Sequence, residues 1–450
     1  MSQLIISVSG LRGIVGETLT PDVAARYLAA FATGLPRGPV MLSYDGRSTG
    51  PMLIETARAA LVATGHMVID AGPCATPTTG ILVRHYHCVG GVQISASHNP
   101  AEYNGIKLFG PDGRVIPADE GEHVRRRFET NEIRWAPYDQ IGETEDLANS
   151  TSARAHWDLI EPLVDVERIR SHRFRVLLDS NHGAGGVAGS HLLQKLGCET
   201  IHLGAEPTGT FIHTPEPTAG NLQQICERVA KEKVAIGFCQ DPDADRLAII
   251  DEAGRYVGEE YTLGLAVDHV LRHTPGPVVT NCSTSRMTQD LAEKYGVAYH
   301  RSAVGEANVV DKMLHEEAVI GGEGNGGVIH PKVIGVRDSM VGMALVLDAM
   351  AEREQPISKM VDELPHYAIH KSKVAMPAEA VATATFKLEA HFHAAKPDMM
   401  DGLRLDWNDR WLLVRASNTE PIVRIFAEAP TAHEAKQLCD EAEDVMKQVL

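Results

Sequence analysis

Three aspartates in the segment DPDADR (241–246) are spaced two residues apart. In an extended chain such side chains project to one face, so Asp241, Asp243 and Asp245 would crowd three negative charges together. This is unfavourable unless a cation sits among them, and oxygen-only ligands suit a hard ion such as Mg²⁺. An EF-hand is rejected because Arg246 occupies the glycine position and strands are predicted on both sides. The segment predicts a magnesium site, with a solvated acidic turn as the alternative.

A serine, Ser97, lies in a loop of small residues, ISASHNP (94–100), directly after a predicted strand. An exposed serine hydroxyl can carry an acyl or a phosphoryl group covalently. Acyl transfer needs a base and an oxyanion hole, usually built around G-x-S-x-G. That motif is absent, and the adjacent His98 seldom serves as the base of such a serine. Phosphoryl transfer fits the loop better, and a serine that only caps a turn is the structural alternative.

A third polar loop, RASNTEP (415–421), follows a predicted strand near the end of the chain. It offers a guanidinium, two hydroxyls, an amide and consecutive backbone N–H groups, which are the donors of a phosphate cradle. Arg424 lies just beyond it and adds a second guanidinium. The loop therefore predicts phosphate binding, with a polar hairpin between two strands as the alternative.

Two further cations could balance the charge of a phosphate. Arg12 stands between glycines in SGLRG (9–13), and Lys107 ends NGIK (104–107), ten residues after Ser97. A solvated side chain is the default interpretation of any single Arg or Lys, so these two residues gain weight only from the other loops.

Strands and helices that must position these loops alternate along the chain in three similar copies. In each copy an apolar, β-branched run ends in a polar or glycine-rich loop and a helix follows, as between Pro51 and Gly65. This order predicts parallel or mixed sheets covered on both faces by right-handed crossovers, and so three similar α/β domains. The segments containing predicted strands are PVMLSYDGR (39–47), HMVIDAG (66–72) and GGVQIS (90–95), then FRVLLDSNHGAGG (174–186), ETIHLG (199–204) and VAIGFCQDPDADR (234–246), then PVVTNCSTS (277–285), VAYHRS (297–302) and AVIGGEGNGG (318–327).

The remainder of the chain has a different pattern. Alternating runs from residue 368 onward are interspersed with two helical stretches, which predicts a smaller α+β domain. The predicted domains are 1–150 with the serine loop, 151–255 with the aspartate loop, 256–367 with the glycine-rich loop GEGNGG (322–327), and 368–450 with the phosphate-binding loop.

The third strand of each copy runs into one of the unusual loops, ISASHNP, DPDADR or GEGNGG. In open α/β sheets, ligands bind beyond the carboxyl ends of the strands. Three domains that point such loops to one place would build a composite active site.

The composition is that of a globular protein of several domains, with 450 residues, 44% of them hydrophobic and 23% charged. The formal net charge of −18 disfavours nucleic acid and anionic membranes as partners. No apolar stretch reaches the ~20 residues of a membrane span and the start lacks a signal-peptide pattern, so a cytoplasmic protein is expected. The seven cysteines form no C-x-x-C pair and are expected to be reduced, mostly buried thiols.

Taken together, SGLRG, ISASHNP, DPDADR, GEGNGG and RASNTEP occur in this order across nearly the whole chain, and the combination resembles the α-D-phosphohexomutase family. The resemblance implies four domains around a central cleft, a Mg²⁺ cofactor, a small sugar phosphate as substrate and a hexose 1,6-bisphosphate as activator. We expect a monomer or a homodimer.

The resemblance also implies a role for each motif. Ser97 would carry the phosphoryl group, and His98 would support its loop. Arg12 and Lys107 would flank the reaction. Mg²⁺ would be held by an oxygen of phosphorylated Ser97 together with Asp241, Asp243 and Asp245. Arg246 would lie at the cleft, and Glu323 would bind the sugar hydroxyls. The phosphate that does not react would be bound by Arg415, Ser417, Asn418 and Thr419, and the predicted substrate-binding set also includes Asn325 and Arg424.

The glycine-rich loop departs from the G-E-x-S-G-H pattern of many members, because Asn325 and Gly327 replace the serine and the histidine. It resembles instead the G-E-G-N-G-G variant of a group assigned as phosphoglucosamine mutases or as phosphomannomutases of broad specificity, as does VGEANV (304–309). We therefore favour interconversion of glucosamine 6- and 1-phosphate, with phosphomannomutase or phosphoglucomutase activity as the alternative. A sugar-phosphate-binding protein without turnover is the alternative of a different class, because the loop histidine is missing. A serine hydrolase ranks third.

Overall fold

Two compact units make up the part of the chain that the computed structural model describes, residues 4–7, 10–416 and 422–449. One unit comprises Met1–Val270 and Asn325–Val361, and the other comprises Leu271–Gly324 and Asp362–Leu450. Within the described residues, no helix is long and apolar enough to cross a membrane.

The first unit begins with a seven-stranded mixed sheet of order β1-β2-β6-β5-β3-β4-β7. Strands β3, β4 and β5 are parallel, whereas β6 runs antiparallel to both β5 and β2. Its strands are β1 Ile5–Ser7, β2 Gly10–Ile14, β3 Pro39–Tyr44, β4 Met67–Pro73, β5 Gly90–Ile94, β6 Tyr103–Phe109 and β7 Thr144–Asp146, and its helices are α1 Pro21–Gly34, α2 Gly50–Ala63, α3 Thr76–His85 and α4 Ala118–Thr130.

Helix α2 shows why these residues form these elements. Proline occupies its first turn, where no N–H partner is needed, and Leu53, Ala57 and Leu61 recur on one fully buried face. Gly65, with φ of +88°, follows the helix end in a conformation that favours glycine. The helix predicted from Pro51 to Gly65 is thereby confirmed.

A four-stranded sheet of order β11-β10-β8-β9 follows in the same unit. Strands β8, β9 and β10 are parallel and β11 returns antiparallel to β10. The elements are α5 Asn149–Ile160, a 3₁₀ turn Glu161–Leu163, α6 Val166–His172, β8 Arg175–Asp179, α7 Gly185–Lys195, β9 Glu199–Leu203, α8 Gln223–Glu232, β10 Ile236–Gln240 and β11 Leu247–Ile250.

The next stretch contains three parallel strands of the second unit in the order β13-β12-β14. Its glycine-rich loop connects β14 to β15. The elements of the stretch are α9 Glu259–His273, β12 Val278–Asn281, α10 Met287–Lys294, β13 Tyr299–Ser302, α11 Glu306–His315, β14 Ile320–Glu323, β15 Gly327–Ile329, α12 Ser339–Arg353 and α13 Ile357–Asp362.

The C-terminal part of the second unit is an antiparallel sheet of order β16-β20-β19-β18-β17. Its two helices pack on an apolar core that includes Leu388, Leu405, Val414 and Leu438. The elements are β16 Ala368–Ala375, α14 Ala378–His391, β17 Lys396–Asp398, β18 Leu403–Asp406, β19 Trp411–Ala416, β20 Ile422–Ala429 and α15 Ala432–Lys447.

The three α/β copies share one topology. In each, the first strand lies between the second and the third, as in β5-β3-β4, β10-β8-β9 and β14-β12-β13. The predicted fold class, three similar α/β domains with mixed sheets plus a smaller C-terminal α+β domain, is confirmed. The sequence did not predict β2 and β6, which pair side by side and hold Arg12 and Lys107 on adjacent strands.

Candidate active site

The aspartate loop lies at the carboxyl end of β10, between β10 and β11. Asp241, Asp243 and Asp245 are fully buried, and a carboxylate oxygen from each lies within 4.8 Å of the others. The segment is a turn rather than the extended run assumed from the sequence. Ala244 has φ of +55°, and its N–H donates to the Asp241 carbonyl at 2.9 Å. The turn, not strand alternation, therefore brings the carboxylates together.

Two carboxylate oxygens of this cluster have the environment of cation ligands. Oδ1 of Asp243 and Oδ1 of Asp245 are buried and accept no hydrogen bond from the described residues. An unsatisfied buried oxygen of this kind is costly. Burial, together with the charges of Asp243 and Asp245, raises the pKa of Asp241 well above its ordinary value. A buried set of oxygen donors with this charge fits Mg²⁺.

Ser97 lies in the loop between β5 and β6 and meets the aspartate loop directly. Its hydroxyl Oγ donates to Oδ2 of Asp241 at 2.9 Å, although the two residues are 144 positions apart in sequence. The residue is buried and has a left-handed backbone with φ of +50°, which is rare for a residue other than glycine. Its N–H donates to Oγ of Ser95 at 2.9 Å. The serine and aspartate loops therefore form one site.

His98 flanks the serine hydroxyl. Its Nδ1 lies 3.2 Å from Ser97 Oγ. Burial, followed by the charges of Arg246 and Arg12, lowers the pKa of His98 to about 3, so the imidazole is neutral at pH 7. A neutral ring can share a hydrogen bond with the hydroxyl without adding charge to the site.

Three of the predicted cations surround these loops. Lys107 places Nζ 2.5 Å from Oδ2 of Asp243 and 3.2 Å from Oδ2 of Asp245. Burial alone would raise the pKa of Asp243, but the Lys107 ammonium lowers it overall. Arg12 donates to the side chain of Asn99, and burial lowers the pKa of its guanidinium. The backbone N–H of Arg246 donates to Oδ1 of Asp241 at 3.1 Å.

Sequence reasoning missed Arg47, whose side chain binds the backbone of the serine loop. This buried side chain donates to four backbone carbonyls, which are those of Ser97 at 2.6 Å, Asn99 at 2.6 Å, Pro100 at 2.7 Å and Tyr103 at 3.0 Å. Its Nε also donates to Oδ2 of Asp45 at 3.1 Å. Arg47 lies three residues after β3, at the sheet edge where the serine loop follows β5, and this placement is the signal that could have identified it.

Arg337 is the second residue that sequence reasoning missed. Its Nη2 lies 2.6 Å from Oδ2 of Asp245, the same oxygen that Lys107 approaches. No motif marks this arginine, because it precedes α12 by two residues in a segment of mixed composition. Only the fold brings it to the aspartate loop.

The remaining predicted residues belong to the glycine-rich loop and the C-terminal sheet. Glu323 ends β14, and its Oε1 accepts from Asn281 Nδ2 at 2.7 Å and from the N–H of Gly305 at 3.2 Å. Asn325 lies in the loop that follows. Arg415 on β19 is paired across the sheet with Arg424 on β20, and Nε of Arg415 lies 3.0 Å from Asp401. The other three predicted phosphate ligands fall outside the described residues: Ser417, Asn418 and Thr419.

Four consecutive segments of the chain match the domains described under “Phosphoglucomutase/phosphomannomutase”. The alpha/beta/alpha domains I, II and III match residues 4–134, 154–254 and 259–367. The C-terminal domain matches residues 373–445. These segments together cover most of the chain.

Whole-length relatives carry related names. A “Phosphoglucomutase/phosphomannomutase” of Thermococcus kodakarensis is 36% identical over 436 residues, which cover 95% of each chain. A “Probable phosphoglucosamine mutase” of Thermococcus gammatolerans is 33% identical over 447 residues, 98% of each chain. The crystal structure of a phosphoglucomutase/phosphomannomutase family protein from Burkholderia thailandensis has a TM-score of 0.84 at 25% identity, and the match covers 99% of this chain and 97% of that one.

Proposed function

Because this chain belongs to the phosphoglucomutase/phosphomannomutase family, whose members are phosphohexomutases, we propose that it interconverts hexose 6-phosphates and 1-phosphates through a phosphorylated Ser97. The observation that carries the proposal is the hydrogen bond from Ser97 Oγ to Asp241 inside a buried aspartate cluster. A serine that only capped a turn would need neither the cluster nor the cations around it.

The proposed reaction has two half-reactions. In the first, a sugar hydroxyl oxygen attacks phosphorus and gives up its proton, while the bond from phosphorus to Ser97 Oγ breaks and this oxygen takes a proton. In the second, Ser97 Oγ gives up its proton and attacks the other phosphorus of the bisphosphorylated sugar, while the bond from that phosphorus to the sugar oxygen breaks and the sugar oxygen takes a proton. We assign the proton exchange to Lys107, which lies beside the cluster. Intact turnover in Lys107→Ala would remove that assignment.

This chain's own residues supply positioning and charge. Asp243 and Asp245 would hold the metal through their Oδ1 atoms, and Asp241 would join them once Ser97 is phosphorylated. Mg²⁺ bound there would neutralise charge on the transferring phosphoryl group. Arg12 would add positive charge beside it. Such transfers depend mainly on orientation and charge stabilisation.

The second unit supplies the proposed sugar and phosphate contacts. Glu323 is held by two donors of its own unit, so its carboxylate is fixed in place for sugar hydroxyls. Arg415 and Arg424 are cross-strand neighbours, and planar guanidinium groups can bind phosphate oxygens through two N–H donors each. The pair of Arg415 and Arg424 therefore suits the phosphate that does not react.

For the sugar, we propose glucosamine phosphate, with mannose or glucose phosphate as the second candidate. The G-E-G-N-G-G loop supports the first choice, as do the names of several relatives of 32–33% identity. The relative of 36% identity that is called phosphoglucomutase/phosphomannomutase supports the second. A fold shared by enzymes of different sugars does not decide between them.

Phosphorus NMR tests the proposal. The protein is given Mg²⁺, a trace of hexose 1,6-bisphosphate as the proposed activator, and the 6-phosphate of glucosamine, mannose or glucose in separate tubes. We expect a growing 1-phosphate resonance, fastest with glucosamine, and none with Ser97→Ala. Ser171→Ala is the matched control, because this serine is exposed.

Two outcomes would contradict the proposal. Turnover in Ser97→Ala would exclude the phosphoserine. Binding of all three sugar phosphates without isomerisation, by protein whose Ser97 is shown by mass to be phosphorylated, would favour the non-catalytic binding protein.

A further inference from the structure

Gly327 is a glycine because a neighbouring side chain fills the space beside it. A Cβ built on Gly327 would lie 2.2 Å from Cδ of Arg337, 2.7 Å from its Cγ and 3.1 Å from its Cβ. These atoms belong to the root and middle of the arginine, so they cannot swing away as the end of a flexible chain could. The absence of a side chain at 327 and the presence of Arg337 are therefore one structural feature.

The guanidinium of Arg337 reaches the aspartate loop. Nη2 lies 2.6 Å from Oδ2 of Asp245, and the arginine side chain is only 13% exposed. Lys107 Nζ lies 3.2 Å from the same oxygen. Two cations thus neutralise one oxygen of Asp245, while its Oδ1 accepts no hydrogen bond from the described residues.

The backbone next to Arg337 is fixed from several directions. Asp338 caps α12, because its Oδ1 accepts from the N–H groups of Met340 at 2.9 Å and Val341 at 3.3 Å. Its own N–H donates to the carbonyl of Val328 at 2.8 Å. Its other carboxylate oxygen lies 2.7 Å from Nε2 of the buried His156. The arginine therefore extends from an anchored position.

We propose that Arg337 is a positioning residue of the proposed mutase, which acts through its contact with Asp245 and limits the negative charge that the aspartate cluster presents to the phosphate. The inference rests on the proposed function. A cation beside a metal ligand weakens cation binding but favours the approach of an anionic phosphate. Arg337 would thus lower the affinity of the cluster for the metal and raise the rate of phosphoryl transfer.

Removal of Arg337 separates this role from a structural one. In Arg337→Ala the cluster gains one net negative charge, so we expect Mn²⁺, measured as free ion by electron paramagnetic resonance without any sugar, to bind about threefold more tightly or better. We also expect kcat to fall about tenfold or more, with KM for the sugar phosphate changed less than about twofold. Arg337→Lys keeps the charge and should give parental Mn²⁺ affinity with intermediate kcat.

A loss of packing alone would weaken Mn²⁺ binding and turnover together, and that result would overturn the proposal. Unchanged kcat in Arg337→Ala would also overturn it, as would absence of Mn²⁺ binding by the parent. The matched control is Arg58→Ala, because Arg58 on α2 pairs with the buried Asp70 on β4, whereas the aspartate loop follows β10. It should lose stability without a change in Mn²⁺ affinity.

The steric contact between Gly327 and Arg337 can be tested by thermal melting, without metal or sugar. Gly327→Ala should lower the thermal midpoint of the parent by about 5 °C or more. In the Arg337→Ala background the same change should cost much less. Equal losses in both backgrounds would contradict the shared space. If no sugar phosphate is turned over, the proposed function is wrong. The Mn²⁺ affinities and the thermal midpoints still test the role of Arg337 in that case.

Discussion

At Ser97 one unusual backbone conformation has to be maintained by its neighbours. A φ of +50° destabilises a residue with a side chain by on the order of 1 kcal/mol or more. Arg47 stabilises this conformation from outside, because its guanidinium binds the carbonyl of Ser97 and three further carbonyls of the loop. The sequence revealed the serine through its motif. For the arginine it offered only the placement of Arg47 just after β3, because a guanidinium that binds carbonyls leaves no spacing pattern.

We predict that Arg47→Ala costs about 3–5 kcal/mol of unfolding free energy, because it leaves buried carbonyls and the Asp45 carboxylate without their partner. Turnover should fall at least about a hundredfold, because the serine loop loses its position. Chemical denaturation and kcat are the measurements. Arg125→Ala, on an exposed helix face, is the control and should change neither. A stable, active Arg47→Ala protein would show that the loop holds itself.

At the scale of elements, the sequence predicted the strands whose ends carry chemistry but not the strands that return. The parallel strands β3, β8 and β12 have apolar runs long enough to recognise. Strand β2 contains two glycines and an arginine, and β6 contains asparagine, glycine and lysine, so their composition resembles a loop. Sheet pairing, which only the fold supplies, makes them strands.

The loop after β9 is tied to the end of β8 by a pH-dependent contact. Nε2 of His213 lies 2.6 Å from Oδ2 of Asp179. Burial alone would lower the pKa of His213, but the hydrogen bond and charge of Asp179 raise it above its ordinary value. Because the folded-state pKa exceeds the unfolded one, the contact stabilises fully below about pH 6.5 and loses this effect as pH rises through the raised pKa.

We therefore predict that His213→Asn lowers the thermal midpoint at about pH 5.5 and that the difference from the parent shrinks towards about pH 9. The comparison is melting of both proteins across this range. His391→Asn removes a histidine of an exposed pair and is the control. A His213→Asn difference that grows with pH would contradict the assigned sign.

At the scale of the whole molecule, the net charge of −18 would repel an anionic substrate. The fold offsets this repulsion by placing positive charge near the buried aspartates or their neighbours. The cations are Arg12, Lys107, Arg246 and Arg337. The sequence predicted three of these four cations. Arg337 was not predicted because its side chain occupies the space that a side chain at position 327 would need. This contact is not visible in the sequence.

We predict that Mg²⁺ slows hydrogen exchange in the serine and aspartate loops, because the ion would satisfy the free oxygens of Asp243 and Asp245. The amides of Ala96 and Arg246, which donate to Asp45 and Asp241, are the ones to follow by mass spectrometry. Amides of α15 serve as the internal reference. Asp243→Asn should abolish the effect, and equal protection with and without a chelator would refute the metal site.

The grip of Arg47 on the serine loop has a consequence for the timing of catalysis. A nucleophile whose own carbonyl is bound by Arg47, together with three carbonyls that follow it in the chain, cannot swing between two distant acceptors. In the proposed reaction it is then the bisphosphorylated sugar that must tumble between the two phosphoryl transfers. Tumbling is opposed by the friction of the surrounding liquid, so turnover of this protein should slow in viscous solutions of sucrose while its stability does not fall.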